Sequence, residues 1–302
     1  MTARTSPWLA TTASLAALTL TLAACGSDDE PAADESAQEE STEGGGEESE
    51  AAAMVPADIA DSGTLRVGTD ASYAPNEFFD ADGETIIGMD VDLFDAVAAE
   101  LGLETEYQSA DFASIIPGTN SDKYDVGVSS FTINEERMLE VNMVSYFSAG
   151  TQWAVASGNP ESVDPDSPCG LTVAVQANTV QDQEDLPPKV EACESEGNPM
   201  TVQQYEGQDQ ATSALVSGKA DAMLADSPVV SYAVQQVGGD IETVGDVYDA
   251  APYGYVIGME NIELAEAIQM ALTTLGEDGS YESVLEEWGQ SDGAIDDFAV
   301  NP

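Results

Sequence analysis

One arginine follows a run of hydroxyl side chains in the segment SSFTINEER, residues 129–137. Ser129, Ser130 and Thr132 lie where the strand-like run DVGVSS ends, and ligands of open α/β sheets collect beyond the carboxyl ends of strands. Hydroxyl and free backbone N–H groups at such a turn can bind an anion, and the planar guanidinium of Arg137 matches a carboxylate bidentately. The pattern indicates a carboxylate-binding turn. The alternative is a surface arginine that pairs with a neighbouring glutamate.

The composition makes any cation at such a turn unusual. The 302 residues include 58 Asp and Glu but only six Lys and Arg, which gives a net charge of −52. This excess repels a phosphate backbone and argues against a nucleic-acid partner. A solvated, salt-tolerant surface explains the acidity better than a functional acidic face does.

Catalysis that depends on histidine is excluded, because the chain contains none. Ser-His-Asp and Cys-His arrangements need that residue, and no phosphate-binding glycine loop is present either. Carboxylate pairs remain available for acid-base chemistry, but 58 acids form such pairs by chance. The sequence therefore predicts no cofactor.

The N-terminal segment is typical of an exported lipoprotein. Arg4 precedes an uncharged apolar run, and small residues lead up to Cys25. Residues 1–24 are predicted to be a signal peptide, and Cys25 is predicted to be lipidated, which would anchor the protein at the extracellular face of the cell membrane. The alternative is an ordinary signal in which the cysteine is only a small apolar residue. Residues 25–63, which lack Lys and Arg, are predicted to be a disordered acidic tether, with folded structure from about Thr64.

Two further cysteines, Cys169 and Cys193, form an even pair in a chain predicted to be exported. A disulfide is the default expectation for such a pair, and it would stabilise the fold by about 3 kcal/mol in the chain-entropy model. A metal site is the weaker alternative, because the chain has neither histidine nor a CxxC motif.

Strand-like and helical runs alternate along the rest of the chain. TLRVGTD and LETEY are typical of strands, and VDLFDAVAAELG between them has one apolar helical face, formed by Phe94, Val97, Ala98 and Leu101. FASIIPGTNSDKYD is predicted to be a short helix broken at Pro117 and Gly118. A second series starts at LTVAVQ, and the chain finishes with two helical stretches around a Gly/Asp turn. Two such series predict an α/β fold with two lobes.

Six segments, in this order along the chain, match motifs of a known protein family: GTDASYAPNEFFDADGETIIGMDVDLFDAVAAELG, ADFASIIPG, KYDVGVSSFTINEER, VAVQANTVQ, GKADAMLADS and DGSYESVLEEWG. Together they resemble the family 3 extracellular solute-binding proteins, which bind polar amino acids for ABC importers. The resemblance implies the type II periplasmic-binding-protein fold, in which two α/β lobes joined by two hinge strands close on a ligand. It assigns residues 64–152 and 254–302 to one lobe and residues 153–253 to the other. TQWAVA and APYGYV are the expected crossovers.

The resemblance also implies ligand contacts. The expected substrate-binding residues are Asp70, Tyr73, Phe112, Ser130, Thr132, Arg137, Thr179 and Asp226. Arg137 is expected to bind the α-carboxylate, with Thr132, the Ser130 backbone and the loop at Thr179 beside it. Asp226 is expected to bind the α-ammonium. Asp70 is expected to hold the ligand's side chain between the two aromatic rings. The alternatives are that the rings belong to the core and that Asp226 caps a helix.

The sequence departs from the family pattern in two loops. Asn76 follows Pro75 where an aromatic residue is usual, so this wall of the site is expected to be polar. Val180 follows Thr179 where a second hydroxyl is usual, which leaves Thr179 and backbone N–H groups in that turn.

Counting charges restricts the ligand. Arg137 and Asp226 would neutralise an amino-acid zwitterion, and Asp70 leaves one excess negative charge. An acidic ligand would need a second cation, because an unpaired buried charge is strongly penalised. The other cations after the signal match no ligand position: Arg66, Lys123, Lys189 and Lys219. A neutral polar or cationic amino acid, or a related amine, is therefore predicted.

The predicted protein is a monomeric, lipid-anchored binding protein, not an enzyme, that delivers its ligand to a membrane permease and its ATPase. Three other functions stay open. They are an enzyme similar to cyclohexadienyl dehydratase on the same fold, a ligand-sensing domain, and an acidic envelope protein that binds no ligand.

Overall fold

The computed structural model describes residues 49–302. The predicted signal peptide, Cys25 and most of the predicted tether lie outside these residues. The helices are α1 Ala57–Ser62, α2 Met89–Glu100, α3 Phe112–Asn120, α4 Glu135–Met138, α5 Leu186–Glu196, α6 Gln208–Val216, α7 Ser227–Gln236, α8 Ile262–Asp278 and α9 Ser280–Glu287. The strands are β1 Thr64–Thr69, β2 Ser72–Tyr73, β3 Glu77–Phe79, β4 Ile86–Ile87, β5 Glu104–Ser109, β6 Val126–Gly127, β7 Val141–Ala156, β8 Thr172–Gln176, β9 Thr201–Tyr205, β10 Ala222–Asp226 and β11 Ile241–Gly258. Short helical turns occupy Ala52–Met54, Gln181–Asp185 and Ser291–Gly293.

One eight-stranded sheet has the order β5-β1-β6-β11-β7-β10-β8-β9. At one end β1 pairs in parallel with β5 and β6, and at the other end β8 pairs in parallel with β9 and β10. The central strands β7 and β11 are antiparallel to each other. Parallel strands need crossover connections, which the intervening helices provide. This arrangement confirms the predicted α/β fold, with one lobe at each end of the sheet.

The two central strands are the longest, with 16 residues in β7 and 18 in β11. Their register shifts between Val244 and Tyr248 and again between Tyr248 and Ala251. Gly150 lies opposite this irregular stretch, and a Cβ atom there would be 2.6 Å from Val247 Cγ1 and 2.7 Å from the Tyr248 carbonyl oxygen. Only glycine lets the two strands approach this closely. This close approach of β7 and β11 lies beside the predicted crossover segments TQWAVA and APYGYV.

Separate hydrophobic cores fill the two ends of the sheet. The predicted apolar face of α2 is buried in the core of the β1 end, together with the inner faces of α8 and α9. The cores of the β8 end are built from β8, β10, α6 and α7. The predicted disulfide between Cys169 and Cys193 is present and joins the loop before β8 to α5.

Folded structure begins earlier than the sequence predicts. Ala51, Val55 and Ile59 are spaced four residues apart and are buried in the same core as α2 and α8. Ala51 precedes a short helical turn, Val55 follows it in an extended conformation, and Ile59 lies on α1, so three apolar groups are enough to dock this acidic segment. The predicted tether is therefore wrong for the described residues 49–63, and a start at Thr64 is too late.

Helix α3 also differs from its prediction, because it continues through Pro117 and Gly118 to Asn120. A Cβ atom at Gly118 would lie 2.6 Å from the ring of Tyr124. The glycine is thus required by the packing of this ring and does not mark the end of the helix. Among residues 49–302, no helix is both long and apolar enough to cross a bilayer.

Candidate functional site

A cavity of about 280 Å³ lies between loops from the two ends of the sheet. Eight of its residues form what we call the first wall: Asp70, Tyr73, Glu77, Phe112, Ser129, Ser130, Thr132 and Arg137. The other five form the second wall: Gln176, Thr179, Val180, Gln181 and Asp226. The structure brings all eight predicted site residues together in this cavity.

Arg137 is held in place by its own end of the sheet. It lies on the one-turn helix α4, where its backbone N–H donates to the Asn134 side chain at 2.9 Å. Its Nη1 donates to the Thr132 carbonyl oxygen at 2.8 Å, and its Nη2 donates across the cleft to the Asn178 carbonyl oxygen at 3.3 Å. The guanidinium is therefore oriented by neutral acceptors.

The charge of Arg137 is left for another partner. Within the described part of the chain, no carboxylate oxygen lies within 4.0 Å of its guanidinium, so the surface-pair alternative does not hold. The rings of Phe112 and Phe131 stack on each other at 4.4 Å, and the guanidinium lies 5.4 Å from each ring centroid. Burial lowers the pKa of Arg137 to about 10, so the group stays cationic at neutral pH. A half-buried cation beside a pair of stacked aromatic rings is suited to a carboxylate ligand.

Asp226 is the carboxylate of the second wall. It ends β10 at the N-cap position of α7, but its side chain caps no helix N–H group. Instead it accepts hydrogen bonds from Tyr73 Oη and Gln181 Nε2, each at 2.8 Å. Burial raises its pKa. The helix-cap alternative is therefore wrong, and the side chain lines the cavity.

Asp70 follows β1 directly. Like Asp226, it accepts a hydrogen bond from a side chain of the opposite wall. Gln176 Nε2 donates to Asp70 Oδ2 at 2.8 Å, and the Asp70 backbone N–H donates to Ser129 Oγ at 3.0 Å. Burial raises the pKa of Asp70 to about 6. At neutral pH the group is mostly ionised, and it has no cationic partner within 4.0 Å in the described part of the chain.

Ser130 has a strained backbone with φ of +51°, which non-glycine residues rarely adopt. Its N–H donates to Asp90 Oδ2 at 3.1 Å, so this N–H is not free for a ligand carboxylate as the resemblance implied. Asn76 Nδ2 donates to Ser130 Oγ at 2.9 Å. Asn76 is fully buried and does not line the cavity, so the expectation of a polar wall formed by Asn76 is wrong. Its role is to hold Ser130.

The two predicted rings serve both the core and the cavity. Tyr73 packs in the core of the β8 end, and Phe112 packs with Phe131 near α3. Both also line the cavity. Thr179 lines it too, but its hydroxyl donates to the Gln176 carbonyl oxygen at 2.8 Å and so fixes the turn before α5.

Sequence reasoning missed Glu77, Gln176 and Gln181 as lining residues. Glu77 is fully buried, and Ser129 Oγ donates to its Oε1 at 3.2 Å. In the sequence it is one acid among 58, with no local pattern that distinguishes it. The two glutamines end a strand and begin a helical turn, where polar residues are ordinary. Only the three-dimensional fold shows that these side chains reach the site.

The remaining cations of the described chain lie away from the cavity. Arg66 pairs with Asp125, and Lys189 pairs with Asp185. Lys123 lies 4.6 Å from the ring of its neighbour Tyr124. None of these, nor Lys219, lines the cavity, so three lining carboxyls share one guanidinium.

Comparison with known proteins identifies this architecture. The sequence pattern of the bacterial extracellular solute-binding proteins, family 3, matches residues 65–291. The chain belongs to this family. Arginine-binding protein ArgT of Corynebacterium glutamicum is 38% identical over 97% of this chain and 95% of its own length. The lysine/arginine/ornithine-binding periplasmic protein of Escherichia coli is 29% identical over 74% of this chain and 87% of its own length.

Solved structures of family 3 relatives share the fold. An ancestral arginine-binding protein bound to arginine has a TM-score of 0.69 and 34% identity, and covers 75% of this chain and 98% of its own. An ancestral arginine-binding protein bound to glutamine has a TM-score of 0.68 and 34% identity, and covers 76% of this chain and 98% of its own. These neighbours have the two-lobed type II fold, which confirms the predicted fold class.

Proposed function

We propose that this family 3 protein binds a basic amino acid, with arginine as the best candidate, and delivers it to an ABC permease. The observation that carries the proposal is the charge of the cavity lining. Asp70, Glu77 and Asp226 contribute carboxyl groups, while Arg137 is the one cation among the described lining residues. A ligand with one carboxylate and two cationic groups complements this set, since a buried charge needs a partner.

The geometry supports one orientation of that ligand. Its α-carboxylate binds Arg137, and its α-ammonium binds Asp226 in place of the Tyr73 hydroxyl. The cationic side chain then extends toward Asp70. Glu77 is at the same end of the cavity, because the Ser129 hydroxyl accepts from the Asp70 N–H group and donates to Glu77. Two carboxyl groups would therefore meet the ligand's side chain.

The named relatives support a basic ligand and leave a neutral one as second candidate. ArgT and the lysine/arginine/ornithine-binding protein carry basic ligands in their names, and one ancestral neighbour was solved with arginine and also with glutamine. The relatives compared here are named as binding proteins, which supports a non-enzymatic role. One neighbour is described as an ancestral amino acid-binding precursor of cyclohexadienyl dehydratase, so a turnover assay remains a direct test of catalysis.

The proposal includes the motion and the location of the protein. Residues 64–152 with 254–302 form one lobe and residues 153–253 the other, with bending where the β7–β11 register is irregular. Separate cores at the two ends of the sheet support this division. A lipid on Cys25 would hold the monomer at the extracellular face of the membrane, where the permease and its ATPase receive the ligand.

Isothermal calorimetry with a panel of amino acids tests the ligand. We expect arginine to bind most tightly, followed by lysine or histidine, then glutamine, with glutamate weakest. Tighter binding of glutamate than of both glutamine and arginine would contradict the charge argument. If no amino acid raises the melting temperature, binding itself is rejected, because a tight ligand stabilises the folded form.

A further inference from the structure

Two buried carboxyl groups at one end of the cavity, Glu77 and Asp90, have no cationic partner in the described structure. Both side chains are fully buried. Glu77 is on β3 and lines the cavity, whereas Asp90 is on α2 and lies behind it. Two charges of the same sign in a dry interior destabilise each other and the fold.

The hydrogen-bond donors around the pair leave one carboxylate oxygen, Asp90 Oδ1, without a partner. Ser130 Oγ lies 3.2 Å from Glu77 Oε2 and also 3.2 Å from Asp90 Oδ2, and a hydroxyl can donate to only one of them. Asp90 Oδ2 also accepts from the Ser130 N–H and from Tyr146 Oη, while Asp90 Oδ1 is buried without a partner. A proton on one carboxyl group supplies the missing donor.

The surroundings favour Glu77 as the protonated member. Burial and then the charge of Asp90 raise the pKa of Glu77 well above its ordinary value. Burial raises the pKa of Asp90 to about 6, opposed by hydrogen bonds that include those of Tyr146 and Ser130. The other titratable groups that face the pair are Asp70, Tyr73, Tyr107, Tyr146 and Tyr255, and none of them is a cation.

We propose that Glu77 and Asp90 together carry one proton in the ligand-free protein and release it to solvent when a cationic side chain binds beside Glu77. The incoming cation takes over the role of the proton, so the pair becomes doubly ionised and the freed proton passes to the buffer. A neutral side chain offers no such replacement and leaves the proton in place. The pair thus selects for a cationic ligand and couples its binding to pH. This inference rests on the proposed binding of amino acids in the same cavity.

Calorimetry in buffers of different ionisation enthalpy counts the released proton. We compare arginine with citrulline, which has the same shape but a neutral ureido group, at about pH 7 in phosphate and in Tris. Arginine is expected to release close to one proton more than citrulline. The comparison removes proton release linked to Asp226, because both ligands have an α-ammonium group. Asp70, with a pKa of about 6, adds only about a tenth of a proton at this pH.

Two variants locate the source of the proton. Glu77→Gln keeps a donor toward Asp90 but has no proton to lose, and Asp90→Asn removes the neighbouring charge that keeps Glu77 protonated. Glu77→Gln is expected to abolish the excess release with arginine, and Asp90→Asn is expected to reduce it, because burial still favours the protonated Glu77. If one of them does not fold, the other and the wild-type buffer comparison still decide.

The outcomes separate this inference from the proposed function. If arginine and citrulline release equal numbers of protons, or if Glu77→Gln retains the excess release, the proton-coupled pair is wrong while amino-acid binding stands. If citrulline does not bind, glutamine serves as the neutral ligand. If arginine binds in neither buffer, the proposed function itself fails.

Discussion

The two walls of the cavity differ in where their polar groups find partners. In the first wall, Arg137 donates to the Thr132 carbonyl oxygen and Ser130 is held by Asn76 and Asp90. These partners lie at the same end of the sheet, and Arg137 adds one weaker bond across the cleft, to the Asn178 carbonyl oxygen at 3.3 Å. In the second wall, Asp226 accepts from Tyr73 and Gln176 donates to Asp70, and both bonds cross the cleft.

Under the proposed function, this difference assigns the walls different steps of binding. The first wall can receive a ligand carboxylate in the open protein, because its groups already have their orientation. The second wall contributes when the lobes close, and its cross-cleft hydrogen bonds compete with the ligand for Asp226 and Asp70. A ligand therefore has to offer these two carboxylates more than the protein's own donors do.

The largest expected effect comes from the first wall. Arg137→Ala removes the cation that meets the ligand carboxylate, and we expect a loss of about 4 kcal/mol, roughly a thousandfold in Kd. Calorimetry with arginine measures it, and the melting temperature checks that the fold is retained. Arg66→Ala is the matched control, because Arg66 pairs with Asp125 away from the cavity. Unchanged affinity in Arg137→Ala would move the carboxylate site elsewhere.

A smaller effect is expected in the pH dependence of stability, through Asp70. Its pKa is about 6 in the fold against an ordinary value of 3.8. Because the folded state holds this proton more tightly than the unfolded chain, the free energy of unfolding is expected to fall as pH rises from about 4 to 6, by up to about 3 kcal/mol. Asp70→Asn should remove that part of the slope. Denaturant titrations at several pH values measure it, and an identical slope in the variant would show that other groups cause it.

The second wall is tested by Asp226→Asn, which keeps an acceptor for Tyr73 but loses the charge that meets the α-ammonium. We expect binding of all amino acids to weaken by about 2 kcal/mol, roughly thirtyfold. Asp164→Asn on an exposed loop is the control. A loss confined to basic ligands would mean that Asp226 binds the side chain instead.

The smallest expected effect shows whether the Tyr73 hydroxyl competes with the ligand for Asp226 or contacts the ligand itself. Tyr73→Phe removes the hydroxyl that occupies Asp226 in the closed structure, so we expect arginine to bind about fivefold more tightly, near 1 kcal/mol. X-ray scattering should show a more open ligand-free protein. If binding weakens instead, the hydroxyl contacts the ligand and does not compete with it.

Much of the fold could be predicted from the sequence, because the spacing of apolar residues indicates which helix faces are buried. The α2 face and the two C-terminal helices follow from apolar spacing. The start of the fold was missed because its three docking residues are widely spaced within an acidic segment whose composition indicates disorder. Gly118 was misread because a glycine required for packing and one that ends a helix look the same in a sequence.

The site was predicted in part, and its errors have a common cause. Arg137 and Asp226 stand out because the resemblance fixes their positions and few cations compete for the first role. Glu77 and the Ser130 N–H could not be assigned, since their partners come from α2 and from a distant loop. Which carboxyl group is buried beside another depends on tertiary packing, and local patterns contain no record of it.

Under the proposed function, the close pairing of β7 and β11 at Gly150 would determine how ligand occupancy is communicated. Both strands extend through the two ends of the sheet, so binding would be expressed outwardly as a change of angle where they pair. Gly150 has no side chain to hold β7 away from Val247 and Tyr248, and this close approach would make the paired strands a narrow pivot. A receptor on the membrane would read that angle without touching the amino acid.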